Sequence, residues 1–436
     1  MNRQMLSRVG AVVAASIVLA GIVGGVMAQN MDIFGSRFNS QKPEEYSQNP
    51  RESHLTAESP KVPVDSKLVD ANTKFGFKLL SEILKQDSKK NVFVSPTSVA
   101  IALSMTYNGA NGETQQAMAK ALELQGMSLQ DINQANEALK FSLENADPAV
   151  QLSIANSLWA RQGIDFKPDF LQRNQQFYKA KVTELNFASP DATSTINNWV
   201  KENTRGKIDK IIQQIKPDNV LFLINAIYFK GNWTKQFDKS QTTERPFYLS
   251  DGKQKQHPMM SQSGKYQYFE NDTFQAISLP YGKGRMNFYV FLPKKNTNLD
   301  AFQQQLSVEN WQQWMSQFRR RDGSLQLPRF KFDYDIQLNN ALKALGMEPA
   351  FNEAKANFSS MTSEPVKIDE VKHKTFVEVN EEGTEAAAAT SVGIVATSIR
   401  LPEEPFEMVV DRPFFCAIRD NQTGTVLFMG SVREPE

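Results

Sequence analysis

The chain has one cysteine, Cys416, among its 436 residues, so an intrachain disulfide is excluded. Without covalent staples the fold has to rest on a large core, which 40% hydrophobic content over this length can supply. Histidine is scarce as well: His54, His257 and His373 are the only three. HExxH zinc motifs, paired CxxC motifs, phosphate-cradling glycine loops and the GxSxG nucleophile elbow are all missing. No catalytic centre, metal or cofactor is therefore expected. Excess charge is missing too, because 49 basic against 48 acidic residues leave +1, which argues against nucleic acid as a partner. The run Arg319-Arg320-Arg321 precedes Asp322-Gly323 and reads as a solvated loop before a turn. Cys416 lies within an apolar run, Pro413 to Ile418, and reads as a small buried hydrophobe rather than a nucleophile.

Arg3 and Arg8 precede an apolar run from Val9 to Met27, and Val26-Met27-Ala28 supplies small residues for cleavage. Residues 1–28 are thus expected to be a secretory signal, with a retained membrane anchor as the alternative. Secretion to the exterior or a periplasm follows, and the lack of disulfides fits a bacterial export system. Residues 29–66, rich in Gln, Asn, Ser, Pro and charge, read as a flexible linker. A folded domain, 67–436, begins with Ala71, Phe75, Leu79 and Ile83 at helical spacing, widened by Leu80 and Leu84.

Asn91 to Ser95 reads as a strand leading into a helix through Ala100 to Met105. Gln151 to Trp159 and Asn219 to Phe229 read as strands, and Ile196 to Val200 and Ile208 to Ile212 as amphipathic helix. Beyond about residue 240 strands dominate: Phe288 to Leu292, Leu325 to Phe332, Val366 to Val379, and a hairpin of Phe414 to Ile418 with Val426 to Met429. There is no internal repeat and no regular βα alternation, so the fold class is α+β.

The most unusual segment is Glu381 to Ile399. Every second residue from Thr384 (Ala386, Ala388, Thr390, Val392, Ile394, Ala396) is uncharged and mostly small, whereas Glu385 lies on the other face. Such a segment could enter a sheet as a strand with one face buried and its glutamate outward. An Ala-rich helix is the plain alternative.

Several motifs resemble the serpin family across 68–435: Asn91 to Ser98, Asn108 to Thr114, Leu223 to Trp233, Phe291-Leu292-Pro293, Ala344 to Met347, and Asp411 to Phe414 with Phe428-Met429-Gly430. The resemblance implies three β-sheets, including a large five-stranded sheet A, with eight to nine helices and an exposed reactive-centre loop. It implies a monomeric suicide inhibitor that traps serine proteases, and possible cysteine protease targets, in a covalent complex. The hinge it implies is Glu381, Gly383, Thr384, Glu385, Ala386, Ala387, Ala388, Ala389 and Thr390, with no bulky, charged or proline break where insertion starts. Family spacing from Glu381 places the reactive bond at Thr397–Ser398, with Arg400 as the alternative bait. Thr397 after Val395-Ala396 suits elastase-like or subtilisin-like pockets. Ser95, Ser98, Asn225 and His373 are implied to form a polar cluster governing sheet opening, with Trp233 near its mouth. Asp131 to Leu143 is not basic, so heparin-type activation is not expected. The runner-up is a non-inhibitory relative whose loop is cut as plain substrate.

Overall fold

A computed structural model describes residues 63–216, 218–384 and 404–436. The chain divides into two units, 1–57 and 58–436, and the described residues all belong to the second. The expected signal segment, most of the expected linker, and the loop residues Glu385, Ala386, Ala387, Ala388, Ala389, Thr390, Thr397, Ser398 and Arg400 lie outside the described residues.

The first helix, Ser66–Gln86, starts one residue before the expected domain because Asp65 caps it, accepting the Lys67 N–H at 2.8 Å. Its predicted stripe, Phe75, Leu79, Leu80 and Ile83, is buried. The helix Pro96–Tyr107 begins with Pro at its first position after Ser95 as N-cap, and all twelve residues are buried. Among the described residues there are eight α-helices of five residues or more, and a ninth of short pieces runs from Asn339 to Phe351.

Strands form two hydrogen-bonded networks. The first has the order Phe330–Gln337, Glu370–Val379, Gly383–Thr384, Leu221–Asn232, Val150–Arg161 and Lys181–Leu185. Its five longer strands are the expected large sheet, and the two-residue strand is an addition. The second network has nine strands, because the 17-residue strand Gln254–Glu270 pairs in turn with Thr243–Tyr248, Arg319–Pro328 and Phe274–Pro280. One long strand thereby fuses the two smaller expected sheets into a continuous ladder. The predicted hairpin is present as Phe414–Asp420 paired with Val426–Val432, and Cys416 within it is fully buried. Burial also raises the Cys416 thiol pKa, which keeps it protonated and inert.

The large sheet is covered on both faces. Leu158 and Leu223 face the main core, while Trp159, Phe222 and Ile224 pack under the helix Ala192–Asn203 with Ile196, Val200, Ile208, Ile211 and Ile212. That second cluster explains one wrong expectation. Ile208 to Ile212 is irregular rather than helical. Thr204 Oγ1 accepts from the Ile208 N–H, and Asn197 Oδ1 accepts from both Ile211 and Ile212, so side chains replace the helical ladder. Periodicity had reported burial, and the backbone satisfied itself another way.

Three further boundaries differ. Leu325 to Phe332 is two strands, Arg319–Pro328 and Phe330–Gln337, which part at Arg329 and join different networks. The strand expected from Val366 begins at Glu370. Arg319 to Arg321 is no solvated loop but the start of Arg319–Pro328. The Asp322-Gly323 turn signal fails because Gly323 is an in-strand residue over which the Phe406 ring packs; a Cβ there would stand 2.4 Å from that ring.

Candidate functional site

Strands Leu221–Asn232 and Glu370–Val379 lie parallel and pair only from Glu370 opposite Phe222 to Lys374 opposite Ala226. Above that point the first residues of the expected hinge lie between them. Gly383 and Thr384 pair antiparallel with Asn232 and Gly231, and Thr384 also pairs with Val379. The large sheet is therefore split at one end, with two hinge residues already forming the start of a sixth strand.

A tight turn delivers them. The Asn380 N–H donates to the Gly383 carbonyl at 2.9 Å, and Asn380 Oδ1 accepts from the Glu382 and Gly383 N–H groups at 3.0 and 3.2 Å. Gly383 has φ of 153°, and a Cβ on it would lie 2.1 Å from the Gly231 carbonyl oxygen. Only glycine meets both demands. Thr384 is buried, and its hydroxyl shares a 2.5 Å hydrogen bond with Tyr281 Oη. Tyr281 stacks on Trp233 at 4.5 Å and meets the Phe229 ring edge-on at 5.2 Å, so an aromatic layer floors the hinge. Burial holds the Tyr281 phenol well above its usual pKa, which keeps it neutral.

The preceding residues are tied down from the opposite strand and its extension. Glu382 and Glu381 accept backbone hydrogen bonds from Trp233 and Phe237 at 2.9 and 2.8 Å. Trp233 Nε1 donates to the Asn380 carbonyl at 2.9 Å. The Glu381 carboxylate is buried, accepts from the Thr242 hydroxyl at 2.7 Å, and lies 3.6 Å from Arg329 Nε. Glu382 pairs with the exposed Lys239.

Further down the sheet a polar cluster spans the closed section. His373 and Asn225 are direct ladder partners, and both are fully buried. The Ser95 N–H donates to His373 Nε2 at 3.0 Å, so His373 Nδ1 carries the proton and donates to Asn225 Oδ1 at 2.6 Å. Asn225 Nδ2 in turn donates to Asn156 Oδ1 at 2.6 Å and to Ser98 Oγ at 2.5 Å. Ser95 Oγ accepts from the Ser98 N–H at 3.4 Å, closing the network onto the helix N-terminus. Burial drops the His373 pKa to about 3, consistent with a neutral ring. These polar groups are spent on one another. The arrangement can hold the strands together.

The structure brings Ser95, Ser98, Asn225 and His373 into one network, and puts Trp233 with Glu381, Gly383 and Thr384 at the mouth. Sequence reasoning missed Asn156, Tyr281, Thr242, Lys239 and Arg329. Asn156 alone left a local signal, an amide in an otherwise apolar strand run directly opposite Asn225.

The family model for serpins (serine protease inhibitors) matches residues 70–435. The chain belongs to the serpin family. Human leukocyte elastase inhibitor is 35% identical over 381 residues, covering 84% of this chain and 99% of that protein. Bovine Serpin B8 is 37% identical over 376 residues with the same coverage. Among solved structures, the thermophilic serpin tengpin in its native state superposes with a TM-score of 0.78 at 34% identity, covering 86% of this serpin and 95% of tengpin. Thyroxine-binding globulin in complex with thyroxine gives 0.77 at 26% identity, covering 85% and 99%. Membership of this family of serine protease inhibitors, with leukocyte elastase inhibitor among the relatives, supports protease inhibition as its general activity.

Proposed function

We propose that this serpin inhibits elastase-like or subtilisin-like serine proteases by letting its cleaved loop complete the large sheet while the protease is still acylated. The observation that supports this most directly is the placement of Gly383 and Thr384 as the first two residues of an added strand. Continuing that register sets 385–388 opposite 230–227, where Leu221–Asn232 and Glu370–Val379 do not pair with each other. Residues 389 and 390 would fall opposite 226 and 225, inside the closed section. Insertion therefore proceeds over four positions without breaking a ladder, the fifth must part Ala226 from Lys374, and the sixth meets the His373–Asn225 pair. The parity is favourable. Thr384 points into the buried face, so Ala386, Ala388 and Thr390 follow it inward and Glu385 faces out.

Attack at Thr397 would free the loop while the target remains attached as an acyl-enzyme. From Thr384 to Thr397 is thirteen residues, so full insertion carries the enzyme about 43 Å at ~3.3 Å per residue. Strand addition and strain release by serpin loops are standard examples of these physical classes. The uncut fold is then kinetically held, with the lower ladder as part of its barrier. Export through residues 1–28, with 29–66 as a tether and 67–436 as the inhibitor, completes the reading.

Mixing with elastase or subtilisin should give a covalent band that survives denaturing electrophoresis, and nicked protein should melt at a higher temperature than intact protein. Cleaved monomer alone with an unchanged melting temperature would instead identify a non-inhibitory substrate. Mass spectrometry of the products is expected to find the cut after Thr397. A cut after Arg400 would move the specificity to trypsin-like enzymes.

A further inference from the structure

Arginines 319 to 321 have no part in the loop-insertion scheme, yet the structure sets them beside the far end of that loop. Strand Phe406–Val409, which follows the loop, runs parallel to Arg319–Pro328 with Phe406 opposite Gly323. Arg321 is the anchor of this junction. Its guanidinium lies over the Tyr268 ring at 5.5 Å and donates to the Glu404 carbonyl at 3.0 Å, while Tyr268 stacks on Phe406 at 3.8 Å. Glu270 is paired with Lys294 at 3.4 Å and Arg321 at 3.6 Å, and Asp322 with Lys265 at 3.6 Å. Arg319 and Arg320 are exposed, and among the described residues no carboxylate pairs with either. Arg319 is nevertheless held in place, donating to the Ser316 and Phe318 carbonyls at 2.7 and 2.8 Å.

Distance links this rim to the inhibited enzyme. Thr397 is seven residues before Glu404, so the bait bond lies within about 23 Å of the Arg321 contact even with the chain fully extended. A protease domain of roughly 250 residues has a radius of gyration of about 18 Å, so its body around the cleft overlaps that reach. Resting on the inhibitory reading above, we propose that Arg319 and Arg320 are a docking rim for an acidic patch beside the active-site cleft of the target protease. The rim selects among enzymes that accept the same bait residue and speeds their encounter with the loop. A small bait residue discriminates weakly by itself, whereas paired charges at the rim of an interface act on association rate and partner choice.

The test uses the full chain, an Arg319→Glu/Arg320→Glu variant, and two elastase-like proteases whose surface beside the cleft is acidic in one and basic in the other. Trapping rates are measured across a salt series. Equilibrium docking is measured separately with each protease's active-site serine replaced by alanine. The expected result is a fall of about tenfold in trapping of the acidic-flanked enzyme at low salt, a flatter salt dependence, and a matching loss of docking affinity. The basic-flanked enzyme should react no more slowly, and melting temperature and stoichiometry should not move. An Arg319→Gln/Arg320→Gln variant should show part of the same loss. Equal rates and slopes for variant and wild type, or equal losses with both enzymes, would overturn the proposal. So would retention on an immobilised sulfated polysaccharide that the variant loses while its protease rates stay unchanged, since the rim would then serve a polyanion. Failure of wild type to trap either enzyme would refute the inhibitory reading, while docking of the alanine forms would still decide the rim.

Discussion

The two ends of one strand pair are held by opposite means. At the mouth, Leu221–Asn232 and Glu370–Val379 are wedged apart by Gly383 and Thr384, and the restraints are a turn, an aromatic floor and partly solvated charges. In the closed section, five ladder pairs are backed by a network in which Asn225 and His373 use both their donor and acceptor groups without solvent. The difference teaches where resistance to strand addition lies. On the proposed insertion, the mouth is where entry starts, and the buried network is the barrier that the loop must cross.

The strongest way to break this contrast is at the mouth. Thr384→Arg forces a charge against Tyr281, at a cost of several kcal/mol, so the ratio of trapping to plain cleavage should fall by at least ~100-fold. A gel showing trapping as efficient as wild type would mean that the hinge position does not matter. Next comes the closed section. Asn225→Ala strands the donor of His373 and the acceptors of Ser98 and Asn156, which predicts a loss of about 3 kcal/mol. On the proposed kinetic trapping, the readout is a shorter half-life of inhibitory activity on mild heating. An unaltered half-life would remove the network from the barrier.

The third prediction uses pH to separate the ends. His373 is neutral in the fold down to about pH 3, whereas an unfolded histidine takes up a proton near pH 6.5. The unfolded state therefore binds more protons between those values, and stability falls as pH is lowered, by about 1.4 kcal/mol per unit for this group. His373→Gln should flatten that part of the unfolding profile; the same slope in the variant would assign it elsewhere. The smallest effect belongs to Lys239→Ala. That pair with Glu382 is solvent-accessible on the lysine side, so its loss should change stability by under about 1 kcal/mol and disappear in high salt.

The same comparison shows what the sequence could carry. Thr384, where the expected alternation starts, is buried, and the residues that follow it in that pattern lie outside the described residues. The apolar strands around Asn225 and the capped helix after Ser95 were legible because such patterns are local properties. Contacts were not. Tyr281 reaches Thr384 across 103 positions and Thr242 reaches Glu381 across 139, and neither leaves a nearby pattern. The arginine run misled because Asp322-Gly323 is a turn signal only when nothing packs on the glycine, and Phe406 does. Ile208 to Ile212 misled because periodic burial constrains side chains, not the hydrogen-bonding route of the backbone.

The sealed thiol of Cys416 has a practical consequence. A new cysteine placed in the loop or on the arginine rim would be the one sulfur open to a maleimide dye, with no background substitutions needed. Fluorescence from such a probe could follow the approach of a protease and the entry of the strand in real time, on a chain otherwise unaltered.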